Sequence, residues 1–171
     1  MVENNVVTAY YTFRKASSAP VLGMTVSGTV SSGGDASADI FLQLIRQGAP
    51  EADYETVVRG NTASYSFDAV DSGVYTLRVI KAGHVTGEYM VIVNAESVTQ
   101  NVTLSLKGDM NLDGVVDMKD AAMLQRHVLK IDIAEDENAL AVCELTGDGI
   151  VDMKDAAKLT RFVIKVIDSL D

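Results

Sequence analysis

"DMNLDGVVDMKDAAMLQRHVLK", from Asp109 to Lys130, returns 35 positions later as "ELTGDGIVDMKDAAKLTRFVIK", from Glu144 to Lys165, with thirteen of the twenty-two positions identical. The identities are uneven: the first four positions all differ, whereas "VDMKDAA" is kept whole. In the first copy, oxygen-bearing side chains recur on alternate residues of a twelve-residue loop: Asp109 at position 1, Asn111 at 3, Asp113 at 5, Asp117 at 9 and Asp120 at 12. Gly114 holds position 6, where such a loop turns sharply, and Val115 at 7 would donate its backbone carbonyl. A hard cation takes about six to eight oxygens, and this spacing is that of an EF-hand calcium loop. The second copy gives Glu144, Thr146, Asp148, the Ile150 carbonyl, Asp152 and Asp155. Both loops carry four carboxylates, so the charge offered to a cation is equal and only the geometry differs. Position 1 gains a methylene and position 3 exchanges an amide for a hydroxyl. We therefore expect Ca2+ at both loops, more weakly at the second.

Each loop runs into a segment of helical periodicity. From Met118 to Lys130, the residues Ala121, Leu124 and Val128 share one face with Val116 and should meet a core. The opposite ridge holds Met118, Lys119, Ala122, Arg126, Leu129 and Lys130, and its counterpart holds Met153, Lys154, Ala157, Arg161, Ile164 and Lys165. Surface positions that need only solvation drift among polar residues. An outward Met-Lys pair with an Arg and a Lys downstream, present twice, points to shared use against the alternative of a recent duplication without use.

The rest of the chain is different in kind. Up to Lys107 there are seven basic and ten acidic residues, a net of −3; from Gly108 onward there are seven and fourteen, a net of −7. That acidity disfavours nucleic acid and anionic membranes as partners and suits bound cations. No apolar run approaches the ~20 residues that span a bilayer. From Val6 to Leu106 the pattern has period two, giving candidate strands "VVTAYYTFR", "LGMTVSGTVS", "ADIFLQLIR", "YETVVR", "ASYSFDAV", "GVYTLRVIK", "TGEYMVIVN" and "VTQNVTLSLK". Short strands of this kind, with turn residues between them, suggest an antiparallel sandwich or partly closed barrel. A division into two domains follows, an all-β sandwich over 1–107 and an all-α unit over 108–171. The single cysteine, Cys143, excludes an internal disulfide and reads as a small buried hydrophobe.

Two resemblances sharpen these readings. "SYSFDAVDSGVYTLRVIKAGHV" resembles part of prealbumin-like or CnaB-like sandwiches, with Gly73 at a turn, Tyr75 and Leu77 in the core and Gly83 at a reversal. Some CnaB-like domains carry a Lys-Asn isopeptide bond; no spacing supports one at Lys81 or Asn101. The tandem loop-helix repeat resembles a dockerin, the calcium-loop module of cellulosome assemblies. It departs from an EF-hand in having a strand before the first loop and Asp120 rather than Glu at position 12. The resemblance implies two calcium loop-helix units about a pseudo-twofold, monomeric when unbound, that dock onto a cohesin module of a scaffoldin. It implies that loop positions 10 and 11 and the ridge beyond them contact the cohesin, in either of two orientations. It also implies an extracellular, non-catalytic module in polysaccharide degradation, held at the cell surface through the assembly, and read from a piece of a longer secreted polypeptide without its signal peptide. A β-sandwich before a dockerin further resembles an X-module. A calcium-responsive sensor and a glycan-binding module are the alternatives. The chain has no Trp for a sugar platform and no catalytic constellation.

Overall fold

A computed structural model of the protein describes residues 23–171. The candidate strand "VVTAYYTFR" lies outside them. Eight strands and three helices follow in order: β1 Met24–Ser32, β2 Asp39–Arg46, β3 Tyr54–Arg59, β4 Thr62–Val70, β5 Gly73–Lys81, β6 Gly87–Val93, β7 Val98–Thr99, β8 Val102–Leu104, α1 Met118–Val128, α2 Glu137–Ala141 and α3 Met153–Val163.

The strands form two four-stranded sheets. One runs β3-β2-β5-β6, antiparallel throughout; in the other, β1 pairs antiparallel with β4 and parallel with both β7 and β8. Alternation explains the layering. On β5, Tyr75, Leu77 and Val79 point inward with Thr76 and Arg78 between them, and they meet Val26, Val30, Ile40, Leu42, Leu44, Tyr65 and Phe67 in one core.

The parallel pairing corrects the expectation of a wholly antiparallel sandwich. The run "VTQNVTLSLK" splits into β7 and β8 at Gln100 and Asn101, which bond β1 in another way. Gln100 N–H donates to the Ser27 carbonyl at 2.8 Å, and Asn101 Oδ1 accepts from Thr29 N–H at 3.0 Å. Gly28 makes this approach possible, since a Cβ there would fall 2.0 Å from the Gln100 carbonyl oxygen. The phenol of Tyr65 donates to that same carbonyl at 2.6 Å. Alternation reports burial, and burial is blind to strand direction.

Lys81 takes the next inward position of β5 and is buried. Its ammonium donates to Ser32 Oγ, the Gly33 carbonyl and Asn61 Oδ1 at 3.0 to 3.2 Å. These acceptors satisfy a buried charge that burial otherwise disfavours, which is why its pKa is lowered.

A second core lies under the helices: Met110, Ala121, Leu124, Ala139, Val142, Cys143, Leu145, Ala156, Leu159 and Leu170, joined at its margin by Val116, Val128 and Val163. The inward faces expected of both repeats are therefore the faces that pack. The C-terminal part holds three short helices separated by long loops rather than a continuous helical bundle, so the helical character expected of it is confined to α1, α2 and α3.

A seam joins the two cores. The side chain of Val85, from the β5–β6 connection, packs against the helical core, and Gly108 N–H donates to the Val142 carbonyl at 2.6 Å. At the other side of the seam, Asp171 Oδ2 accepts from Gly83 N–H at 2.9 Å while its Oδ1 lies 2.6 Å from Lys107 Nζ.

Candidate functional site

The two loops adopt the same turn by the same means. Asp117 caps α1 by accepting from Lys119 N–H, and Asp120 returns the bond by accepting from Asp117 N–H at 2.8 Å. Asp152 and Asp155 repeat this reciprocal box at α3. Asp120 and Asp155 are fully buried, and their other oxygens reach across the loop: Asp120 Oδ1 accepts from Asn111 N–H, and Asp155 Oδ1 from Leu145 and Thr146 N–H. Position 12 thus ties the start of each loop to the helix that follows it.

In the first loop Asp109 is buried and accepts from Asp113 N–H at 3.1 Å and Gly114 N–H at 2.8 Å. Burial, with the nearby Asp120 and Asp113 carboxylates, pushes its pKa up against those two bonds. Asn111 Oδ1 accepts from Asp113 N–H, and Asp113 Oδ1 from Val115 N–H. In the second loop Glu144 Oε1 accepts from Gly147 N–H at 2.6 Å and Asp148 N–H at 3.1 Å, and Asp148 Oδ1 from Ile150 N–H. The extra methylene at position 1 therefore lets one oxygen serve two amides.

Among the described residues no three acidic, histidine or cysteine side chains close on one point as a finished cage. The donor set nevertheless fits a hard cation. It is oxygen only, its carboxylates are oriented by backbone N–H groups that leave other lone pairs available, and Asp109 sits among like charges that a cation would relieve.

Two features of these loops escaped sequence reasoning. Position 4 has a positive φ in both, +57° at Leu112 and +78° at Gly147. One of the four differing positions thus holds a strained Leu in the first loop and the Gly that relieves it in the second, so more than oxygen donation is at issue there. Each helix also closes on a lysine in the left-handed region, Lys130 at φ 57° and Lys165 at 62°. The following N–H groups reach back to the Arg126 and Arg161 carbonyls at 2.9 and 2.8 Å, so both ends are Schellman closures. Gly is the usual signal for this closure, and its replacement by Lys hid it.

The ridge residues are all solvent-exposed, although the Lys154 side chain bends back to its own loop. Met118, Lys119, Ala122, Arg126, Leu129 and Lys130 are exposed, as are Met153, Lys154, Ala157, Arg161, Ile164 and Lys165. Met118, Leu129, Met153 and Ile164 each expose more than half of their surface. Beside them lie Ile131 and Ile133 and, in the second copy, Val166, also largely exposed, which extend the apolar part of each ridge beyond the predicted residues. Arg126 pairs with Asp132 at 3.2 Å, and Lys165 lies over the Phe162 ring.

The tyrosines of the sandwich serve its packing. Tyr75 and Tyr65 are buried, Tyr54 donates to the Ala69 carbonyl and Tyr89 to the Thr103 carbonyl, and none of the four makes a flat exposed platform.

Residues 107–164 match the family model described as the dockerin type I domain, about a third of the chain. No curated protein matches. Among solved structures, two crystal structures of type II cohesin–X-dockerin complexes from Acetivibrio cellulolyticus, an N-terminal and a C-terminal interface mutant, are similar at 16% and 18% identity. Each match covers 81% of this chain and 94% of the other, with a TM-score of 0.40. No helix of the described residues is long and apolar enough to cross a membrane.

Proposed function

We propose that this chain, which carries a dockerin type I domain, is a non-catalytic module of a secreted, cellulosome-type assembly. Its C-terminal unit, residues 108–171, docks in a calcium-dependent manner onto a cohesin of a scaffold protein. The sandwich before it acts as an X-like module that braces the docking unit. The observation that carries this reading is the doubled ridge. Two sets of six residues at equivalent positions expose the same mixture of thioether, aliphatic and basic groups beside loops of the same design. A pliable apolar stripe flanked by cations suits a partner surface that is apolar at its centre and acidic at its rim.

Asp109, Asn111, Asp113, Asp117 and Asp120 with the Val115 carbonyl would hold one Ca2+, and Glu144, Thr146, Asp148, Asp152 and Asp155 with the Ile150 carbonyl a second. The ion would supply positive charge that offsets the mutual repulsion of each loop's carboxylates and draws positions 1, 5 and 9 together with 12. The chain's own part is to hold the first and last ligands in place through the N–H groups that Asp109, Asp120 and Asp155 accept. The seam through Val85, Lys107, Gly83 and Asp171 supports the bracing role, since it leaves the ridges of α1 and α3 outward.

A pull-down of the full chain against a panel of cohesins, with calcium and with chelator, tests the proposal. Capture by at least one cohesin that chelator abolishes is the expected result. Failure to bind any of them in calcium would overturn it.

A further inference from the structure

Lys154 turns back from its ridge onto its own loop. Its Nζ lies 3.0 Å from Asp148 Oδ2 and 3.6 Å from Asp152 Oδ2, between the carboxylates of loop positions 5 and 9. The equivalent residue of the first copy, Lys119, makes no ion pair among the described residues, although both are the second residue of helices with the same cap. The cause lies at position 3. In the first loop, Asn111 Nδ2 donates to Asp113 Oδ2 at 2.8 Å and occupies the oxygen that a lysine would seek. In the second loop the residue is Thr146, which has no amide to donate, and its hydroxyl faces Glu144 Oε1 at 3.5 Å. Asp148 Oδ2 is thus left to the Lys154 ammonium.

We propose that Lys154 is a tethered counter-ion of the second loop, displaced when a divalent cation enters and released to the docking ridge only then. The inference rests on the calcium reading of the loops. A divalent cation between positions 5 and 9 repels an ammonium that shares the same oxygens, so loading this loop and freeing this lysine are one event. By reciprocity, whatever holds Lys154 on the ridge favours the loaded loop. The second ridge therefore gains its full basic character on calcium binding, whereas the first, with Lys119 already outward, does not depend on it. Drift at position 3, from amide to hydroxyl, thereby makes one of two near-identical ridges cation-gated.

Calorimetric titration of the full chain with CaCl2 tests this in wild type, Lys154→Met and Lys119→Met, with folding followed by circular dichroism. Lys154→Met should strengthen the weaker binding event by about two- to fivefold, the scale of an exposed ion pair, and leave the stronger event unchanged. Lys119→Met should alter neither. An unchanged weaker event in Lys154→Met would overturn the proposal, and so would an equal effect of Lys119→Met, which would mark a general charge effect. Nuclear magnetic resonance of the Lys154 ε-methylene gives a second readout. Its signal should move to the position of a free lysine as the weaker site fills, and a signal unmoved at saturation overturns the release. Absence of any calcium binding in all three proteins would overturn the calcium reading itself, an outcome distinct from calcium binding that Lys154 does not affect.

Discussion

Gln125 and Thr160 occupy the same place in the two copies of the repeat, 35 residues apart, and their side chains touch: Gln125 Nε2 donates to Thr160 Oγ1 at 3.0 Å. Helices α1 and α3 pack against one another, and this bond joins the two copies side chain to side chain at equivalent positions.

The likeness of the two exposed ridges makes either one a candidate for the dominant place on a partner. Changing Met118 and Lys119 to Asp should weaken cohesin binding by no more than about twofold, since one of two equal orientations survives. Changing Met153 and Lys154 as well should abolish it. Surface plasmon resonance on the double and quadruple variants separates the cases, and a loss of several hundredfold from the first pair alone would exclude the dual mode.

Calcium should stabilise the helical core selectively. Its carboxylates at positions 1, 5, 9 and 12 repel one another, and a cation at about a hundredfold above its Kd adds about 2.7 kcal/mol. Chelator should lower the melting temperature seen by far-ultraviolet circular dichroism of the helices while the tyrosine signals of the sandwich, from Tyr54, Tyr65 and Tyr75, melt as before.

The seam has an acid limit. Lys107, bonded to the Asp171 carboxylate, holds its pKa below the ordinary value of 3.8. A lowered carboxylate pKa contributes stability above the ordinary value that is lost as pH falls through the lowered one. The Asp171 side chain is 47% exposed, so the contribution is no more than about 1 kcal/mol. Asp171→Asn should remove this acid dependence, measured as the difference between the two stability profiles below pH 4.

The sandwich has an alkaline limit at Tyr65, whose phenol is pushed up to about 12 by burial. The neutral phenol is the folded form, so its contribution is complete below the ordinary value of 10.0 and is lost as pH rises from there towards about 12. Tyr65→Phe should cost about 1 kcal/mol at neutral pH by leaving the Gln100 carbonyl without this donor, and should remove the alkaline loss. Urea unfolding at pH 7 and pH 11 measures both.

The sequence by itself determined what depends on local spacing. The alternate oxygens of both loops, the inward Ala121, Leu124, Ala156 and Leu159, the outward Met118 and Met153 and most strands of the sandwich follow from periods of two and 3.6, which each residue imposes on its near neighbours. Tertiary structure decided what depends on distant atoms arriving together. The parallel run of β7 and β8 rests on Gln100 meeting Gly28 across the sheet, the contact between the two copies on Gln125 meeting Thr160, and the seam on Asp171 reaching Gly83. The unequal fates of Lys119 and Lys154 belong to this second group. Only the folded loop shows that Asn111 donates to Asp113 Oδ2 whereas the Thr146 hydroxyl faces Glu144, with Lys154 on Asp148 Oδ2 instead.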